Sequence, residues 1–280
     1  MDLIRLGGDA NFSLMPGLFP AHLRSHVIDF GRFVRLADGI ADTPWLRPAE
    51  KTARLEALEA ALTSPEDADW SEEARQVVSN FRGSLIATGI SPEHARHILQ
   101  AFKRDVSGHQ SRTWSELMVY CQFAAAPIGR HMLDLLGEDT AVCGRPTDAM
   151  CAALRILKRL RDCKDPSTDL HRLCIPEQFM RDATITNFHL SAPKAKGQTR
   201  AVIDRTLDGV DRLLREAAPL PKLIQSRGLS MHTAIVLCRA RKLARRFRVA
   251  DPLQGRVGLS GWQRRLCRWS TLLRAAVGFR

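Results

Sequence analysis

Leu23, Val27, Phe30, Val34, Ala37 and Ala41 recur at steps of three and four. That spacing places apolar side chains on one face of an α-helix. It predicts a helix over 21–42, entered after Pro20 and stopped at Thr43-Pro44. The same periodicity marks 49–62 and 71–88, and Ser91-Pro92-Glu93 opens a helix over 92–106. Thr113-Trp114-Ser115-Glu116 has the form of a capping box. It begins a helix that runs to about Leu136, with Pro127 as a kink. Further helices are predicted over 147–162, 177–182, 198–216, 231–247 and 262–277. The segments 167–176 and 251–258 read as irregular. No alternating run is long enough for a sheet, and no linker or short internal repeat divides the chain. The expectation is an all-α, single-domain bundle over residues 1–280 with a central cavity, its functional side chains projecting inward from facing helices.

Composition adds a soluble, globular character: 45% of the 280 residues are hydrophobic and 26% charged. The formal net charge is +12. A basic balance points to nucleic acid, an anionic membrane surface or an anionic substrate. Arginines run through the helical segments, thickening over Arg239–Arg248 and Arg264–Arg280. There is no zinc-finger spacing, aromatic RNA-binding signature or Gly-rich phosphate loop, so a nucleic-acid partner is not expected. Seven cysteines without CxxC spacing argue against a disulfide framework or structural zinc. Met1–Gly8 lacks the pattern of a signal peptide, and no apolar run is long enough to span a bilayer. The expectation is a cytoplasmic protein with peripheral contact at the inner face of the membrane. The Trp262–Arg280 segment mixes Trp, Leu and Arg as an interfacial helix does. It suits a packed terminal helix with an arginine-rich solvent face at least as well.

Three places carry candidate chemistry. Asp38 and Asp42 lie one helical turn apart. Two carboxylates at that spacing repel unless a cation lies between them, and hard oxygen ligands suit Mg²⁺ held jointly with a diphosphate. Spacing alone suits a solvated acidic helix end equally well. Asp162 and Asp165, within Arg161-Asp162-Cys163-Lys164-Asp165, form a second acidic pair, or an ordinary charged helix end. Tyr120–Arg130 joins the chain's single tyrosine to a run of small residues, which suits ligand approach or tight helix packing.

These residues resemble the squalene/phytoene synthase family. Asn11-Phe12-Ser13, Leu18-Phe19-Pro20 and Phe33–Asp42 resemble its opening, and Ala101–Val106 and Tyr120–Arg130 its middle. Leu160–Asp165, Leu170–Pro176 and Asp251–Val257 are similar to its second acidic motif and closing loop. The Ala-Ala-Pro-Ile-Gly-Arg ending resembles the hydroxysqualene branch. The resemblance implies an isoprenoid-synthase fold, Mg²⁺ and a prenyl diphosphate substrate. It further implies conversion of presqualene diphosphate to hydroxysqualene, on the route to squalene and hopanoids. It makes Asp38, Asp42, Asp162 and Asp165 metal ligands, and Tyr120, Arg35 and Arg172 catalytic. Arg35, Arg161, Arg172, Phe12 and Ser13 would contact substrate. A second reading is a non-catalytic homologue that binds a prenyl lipid or serves as an assembly partner. It rests on Gly39, Arg155, Lys158 and Pro166, which replace an acid, a Gln, an Asn and an Asp of the family pattern. Lys158, four residues before Asp162, is expected to pair with it.

Overall fold

The computed structural model describes residues 15–64, 70–163 and 174–276. Every regular element among them is helical. After two 3₁₀ turns come α1 (Arg24–Asp42), α2 (Pro48–Ala60), α3 (Glu72–Thr88), α4 (Glu93–Val106), α5 (Trp114–Ala124), α6 (Ala126–Leu135) and α7 (Thr140–Arg161). The second half contains α8 (Glu177–Asp182), α9 (Asn187–Ser191), α10 (Gln198–Glu216), α11 (Leu220–Leu223), α12 (Arg227–Val249) and α13 (Gly261–Ala276).

The sequence boundaries hold where side chains cap the helix. Ser71 accepts from the Ala74 amide and Thr113 from the Glu116 amide. They shift where proline misleads. The chain breaks at Ala125 (φ −134°, ψ −49°), so the helix expected over 113–136 is two, α5 and α6. Pro127, which lacks an N–H and crowds the carbonyl one turn back, sits in the first turn of α6, where no intrahelical donor is needed. At α7 the opposite holds. The helix starts at Thr140, capped by Asp139 on the Ala141 amide, and runs through Pro146. Pro146 leaves the Val142 carbonyl without its helical donor, but Val142 is half-exposed. Likewise α12 begins at Arg227 under a Ser226 cap rather than at 231.

Two groups of helices share one core. α1 packs on α2, α3 and α4, while α7 packs on α5, α6, α10 and α12. Phe30, Phe33, Phe81, Ile98 and Leu99 fill the first group. α7 is buried nearly all round, through Cys143, Ala149, Ala153, Ile156, Leu157 and Leu160. Such a helix belongs at the centre of a fold. Yet Arg155, Arg159 and Arg161 on it are also buried. Buried cations need partners, so the last turns of α7 must be where charges gather.

Candidate functional site

The partners come from three helices. Asp105 closes α4 and is 5% exposed. Its Oδ2 accepts from the Tyr120 hydroxyl at 3.0 Å, from Arg155 Nη2 at 2.9 Å and from Arg159 Nη2 at 3.2 Å. Tyr120 in turn accepts from Arg155 at 2.6 Å. The Arg104 and Arg155 guanidiniums lie 5.5 and 5.7 Å from its ring centroid, within cation–π range. Burial drives the Tyr120 phenol far above its ordinary pKa, with Arg155 opposing and Asp105 assisting. The phenol is therefore a neutral donor. For Arg155, burial disfavours the cation, but Tyr120 and Asp105 outweigh it and hold the pKa well above the usual guanidinium value.

From α1, Asp38 and Asp42 project one turn apart, and Asp38 Oδ2 meets Lys158 Nζ of α7 at 3.4 Å. Both side chains of this pair are 13% exposed. Burial lowers the Lys158 pKa, while Asp38 and, more weakly, Asp42 pull it back up. Arg35, one turn before Asp38, is exposed. Arg155, Lys158 and Arg159 thus face Asp38, Asp42 and Asp105, three bases against three carboxylates among the described residues.

Asp162 caps α7 and has other partners. Its Oδ1 and Oδ2 accept from Arg161 at 2.8 and 3.0 Å, and Arg256 adds a contact at 3.3 Å. The expected Lys158–Asp162 pair is therefore replaced: Lys158 crosses to Asp38, and the neighbouring Arg161 takes Asp162. Asp162 still donates its amide to the Lys158 carbonyl at 3.0 Å in the helical pattern, so the exchange of partners lies in the side chains and not in the backbone. The closing loop seats here too, with the Cys163 thiol 3.3 Å from the Pro252 carbonyl. Phe12, Ser13, Asp165 and Arg172 lie outside the described residues.

Whether these residues suit a divalent cation depends on the helix. Mg²⁺ characteristically takes one or two carboxylates plus substrate phosphates and waters. Asp38 and Asp42, partly buried and one turn apart, are such a donor pair. Both oxygens of Asp162 accept from Arg161 in this arrangement. Among the described residues no three His, Cys, Asp or Glu side chains gather into a metal site.

One face of α7 joins the charged cluster to apolar space. Thr147, Cys151, Leu154 and Lys158 follow at steps of four, three and four, the period of a single face. The first three, with Met150, line a cavity of about 60 Å³ closed by Ile128, Gly129 and Met132 of α6 and by Leu229, His232 and Val236 of α12. Gly129 allows α6 and α7 to approach, since a Cβ there would collide with Thr147 and Cys151. A second cavity, about 240 Å³, lies between α5, α7 and α10 and is edged by Arg145, Asp148 and Glu216.

Sequence reading placed Asp38, Asp42 and Tyr120 correctly on their helices but assigned no role to Asp105. Its signals were its place in the family-like segment Ala101–Val106 and an acid directly after the basic pair Lys103-Arg104. Arg155 and Lys158 were singled out as departures from a pattern, and they prove to be the groups that tie α4, α5 and α1 to α7.

Comparison with known proteins gives the family and the fold. The squalene/phytoene synthase family model matches residues 7–263. A hydroxysqualene synthase of Sinorhizobium fredii is 31% identical over 252 residues, covering 90% of this chain and 84% of that protein. One from Rhodopseudomonas palustris is 30% identical over the same shares. A 15-cis-phytoene synthase of Enterobacter agglomerans is 25% identical, over 86% and 81%. A dehydrosqualene synthase structure superposes with a TM-score of 0.75 at 16% identity, over 94% of this chain and 90% of that one. A squalene synthase from Alicyclobacillus acidocaldarius does so with 0.64 at 20%, over 84% and 97%. A helical bundle of this kind, motifs in this order and identity at this level over nine-tenths of the chain have one meaning: the chain belongs to the squalene/phytoene synthase family.

Proposed function

We propose that the chain is a hydroxysqualene-type synthase that takes presqualene diphosphate, expels its diphosphate and captures the rearranged carbocation with water. The observation that carries this reading is the single α7 face that passes from the apolar Thr147–Cys151–Leu154 stretch to Lys158. A prenyl diphosphate has the same two parts, a hydrocarbon tail and an anionic head. The 31% relative is itself a hydroxysqualene synthase.

The chemistry places specific demands on these residues. Breaking the carbon–oxygen bond sends its electron pair to the diphosphate and leaves a cyclopropylcarbinyl cation. Fixed positive charge near the departing oxygens stabilises that transition state. Lys158 is positioned to provide it by exchanging Asp38 for diphosphate oxygens. Arg35 lies on the same α1 face, exposed and able to guide the head group inward. The Mg²⁺ implied by the family would be held by Asp38 and Asp42, and would neutralise further diphosphate charge. Tyr120 is locked by Asp105 and Arg155 and stays protonated, so its role is to orient water or present its ring rather than to act as a base. The apolar walls keep bulk water from the cation until the chosen capture. A cavity of about 60 Å³ cannot hold a long hydrocarbon, as ligand pockets usually span roughly 300–1,000 Å³. Met132 and Met150, unbranched and pliable, are the side chains best able to yield on entry.

Incubation with presqualene diphosphate and Mg²⁺, read by product mass, tests the proposal. Hydroxysqualene is the expected product. Folded protein that binds the substrate and releases no product would replace this reading with a non-catalytic prenyl-lipid binder.

A further inference from the structure

The positive charge of this chain has a location. Residues 227–280 contain thirteen Lys and Arg against one acid, Asp251, a surplus of twelve that equals the net charge of the whole chain. The 226 residues before them are neutral in sum. Arginines occur throughout, but acids match them everywhere except in this last segment, which α12 and α13 dominate.

The same segment exposes its aromatic residues. On α13, Trp262, Leu266 and Trp269 follow at steps of four and three and are 70%, 40% and 63% exposed. They form one outward stripe. The opposite face is anchored: Cys267 is fully buried, with its thiol 2.8 Å from that of Cys238 on α12. Arg265 and Arg268 are exposed beside the stripe. Arg246 of α12 donates to Gln263, so the basic end of α12, with exposed Arg245 and Val249, adjoins the start of α13. The family match ends at residue 263, so Leu266 and Trp269 lie beyond it.

Indole rings prefer a boundary where one end is apolar and the other wet, and arginine stems can lie along apolar surface while their heads reach anions. A second copy of the chain would bring like charge against like charge and is disfavoured. A nucleic acid would satisfy the arginines but leave Leu266 and the indoles uncovered. A surface that is anionic outside and apolar just beneath satisfies both. We propose that α13, with the end of α12, docks in the plane of an anionic bilayer surface, with Trp262, Leu266 and Trp269 at the acyl boundary and Arg265 and Arg268 at lipid phosphates. No described helix is long and apolar enough to cross a membrane, so attachment is peripheral. The inference is independent of the reaction assigned above.

Flotation of the full chain with vesicles tests it. Co-flotation is expected with about 30 mol % phosphatidylglycerol in phosphatidylcholine, not with phosphatidylcholine alone, and is expected to weaken at high salt as the Debye length shrinks. Arg265→Gln with Arg268→Gln should weaken partitioning about thirtyfold. Trp262→Ser with Trp269→Ser, on an exposed face where the fold does not depend on them, should abolish it. Circular dichroism would confirm that both variants are folded. Absence of the wild-type protein from anionic vesicles at low salt would overturn the proposal. So would undiminished flotation of the folded tryptophan variant, or vesicle-independent dimerisation through the stripe in sedimentation velocity.

Discussion

Lys158 on α7 reaches across to Asp38 on α1, placing an ammonium against a carboxylate of the first acidic motif at 3.4 Å. The pair is partly shielded from water, so its attraction is stronger than that of a surface ion pair. Lys158→Asn should release Asp38 and leave that carboxylate dependent on an external cation. Calorimetry with farnesyl thiodiphosphate, a non-hydrolysable prenyl diphosphate, should show wild-type binding that persists in EDTA. The variant should bind only with Mg²⁺ present. Equal dependence on Mg²⁺ in both proteins would show that Lys158 does not contribute to diphosphate binding.

Asp38→Asn and Asp42→Asn each remove a charge with little change of volume. Turnover should fall by about a hundredfold or more in each, as when a charge-stabilising group is removed from a reaction site. Thermal stability should change little for Asp42→Asn. It should fall by about 1–2 kcal/mol for Asp38→Asn, where Lys158 loses its partner. Turnover near wild-type level at limiting Mg²⁺ would exclude the metal role.

Acid should destabilise the fold through two buried imidazoles. His131, stacked on Phe30 with ring centroids 3.9 Å apart, has no hydrogen-bond partner on either ring nitrogen. Burial pulls its pKa from 6.5 to about 3, with His94 adding to the effect. His232 falls to about 4 through burial and the nearby Arg239. The unfolded chain therefore binds protons below about 6.5 that the folded chain refuses, so stability is fully present above that pH and declines as pH falls toward 4. The melting temperature should drop between about pH 7 and about pH 5. His131→Phe, which keeps the ring stack and removes the titration, should shrink that drop.

Two glycines should respond in opposite directions. Gly129→Ala puts a methyl into Thr147 and Cys151 at the cavity wall and should cost about 1–3 kcal/mol. Gly39, between the two acids of α1, has no neighbour within 4 Å of a Cβ built on it. Gly39→Ala should stabilise the helix by about 0.5–1 kcal/mol. Chemical denaturation of both variants checks the contrast, and similar destabilisation by both would contradict the packing described for α6 and α7.

Much of the fold was legible in sequence because it is written in local periodicity. Val27, Phe30, Val34 and Ala37 repeat at the helical period, and all four are buried in the structure. Ser71 and Thr113 announce helix starts with side chains that reach only three residues ahead. The kink expected at Pro127 is a full break at Ala125, and α7 begins seven residues before the expected Thr147 and runs through Pro146, because a proline's effect on a helix depends on its surroundings as well as on its own geometry.

The sequence by itself determined the family, the helical class and the candidates Asp38, Asp42 and Tyr120, since motif order and helical spacing are properties of the chain. Only the tertiary structure decided which charges meet. Lys158 pairs with Asp38, 120 positions away, rather than with Asp162, four away. Asp105, without an assigned role in sequence, holds Tyr120, Arg155 and Arg159 together. Electrostatic attraction acts through space and strengthens with burial, and neither distance nor burial between separate helices exists until the bundle has packed.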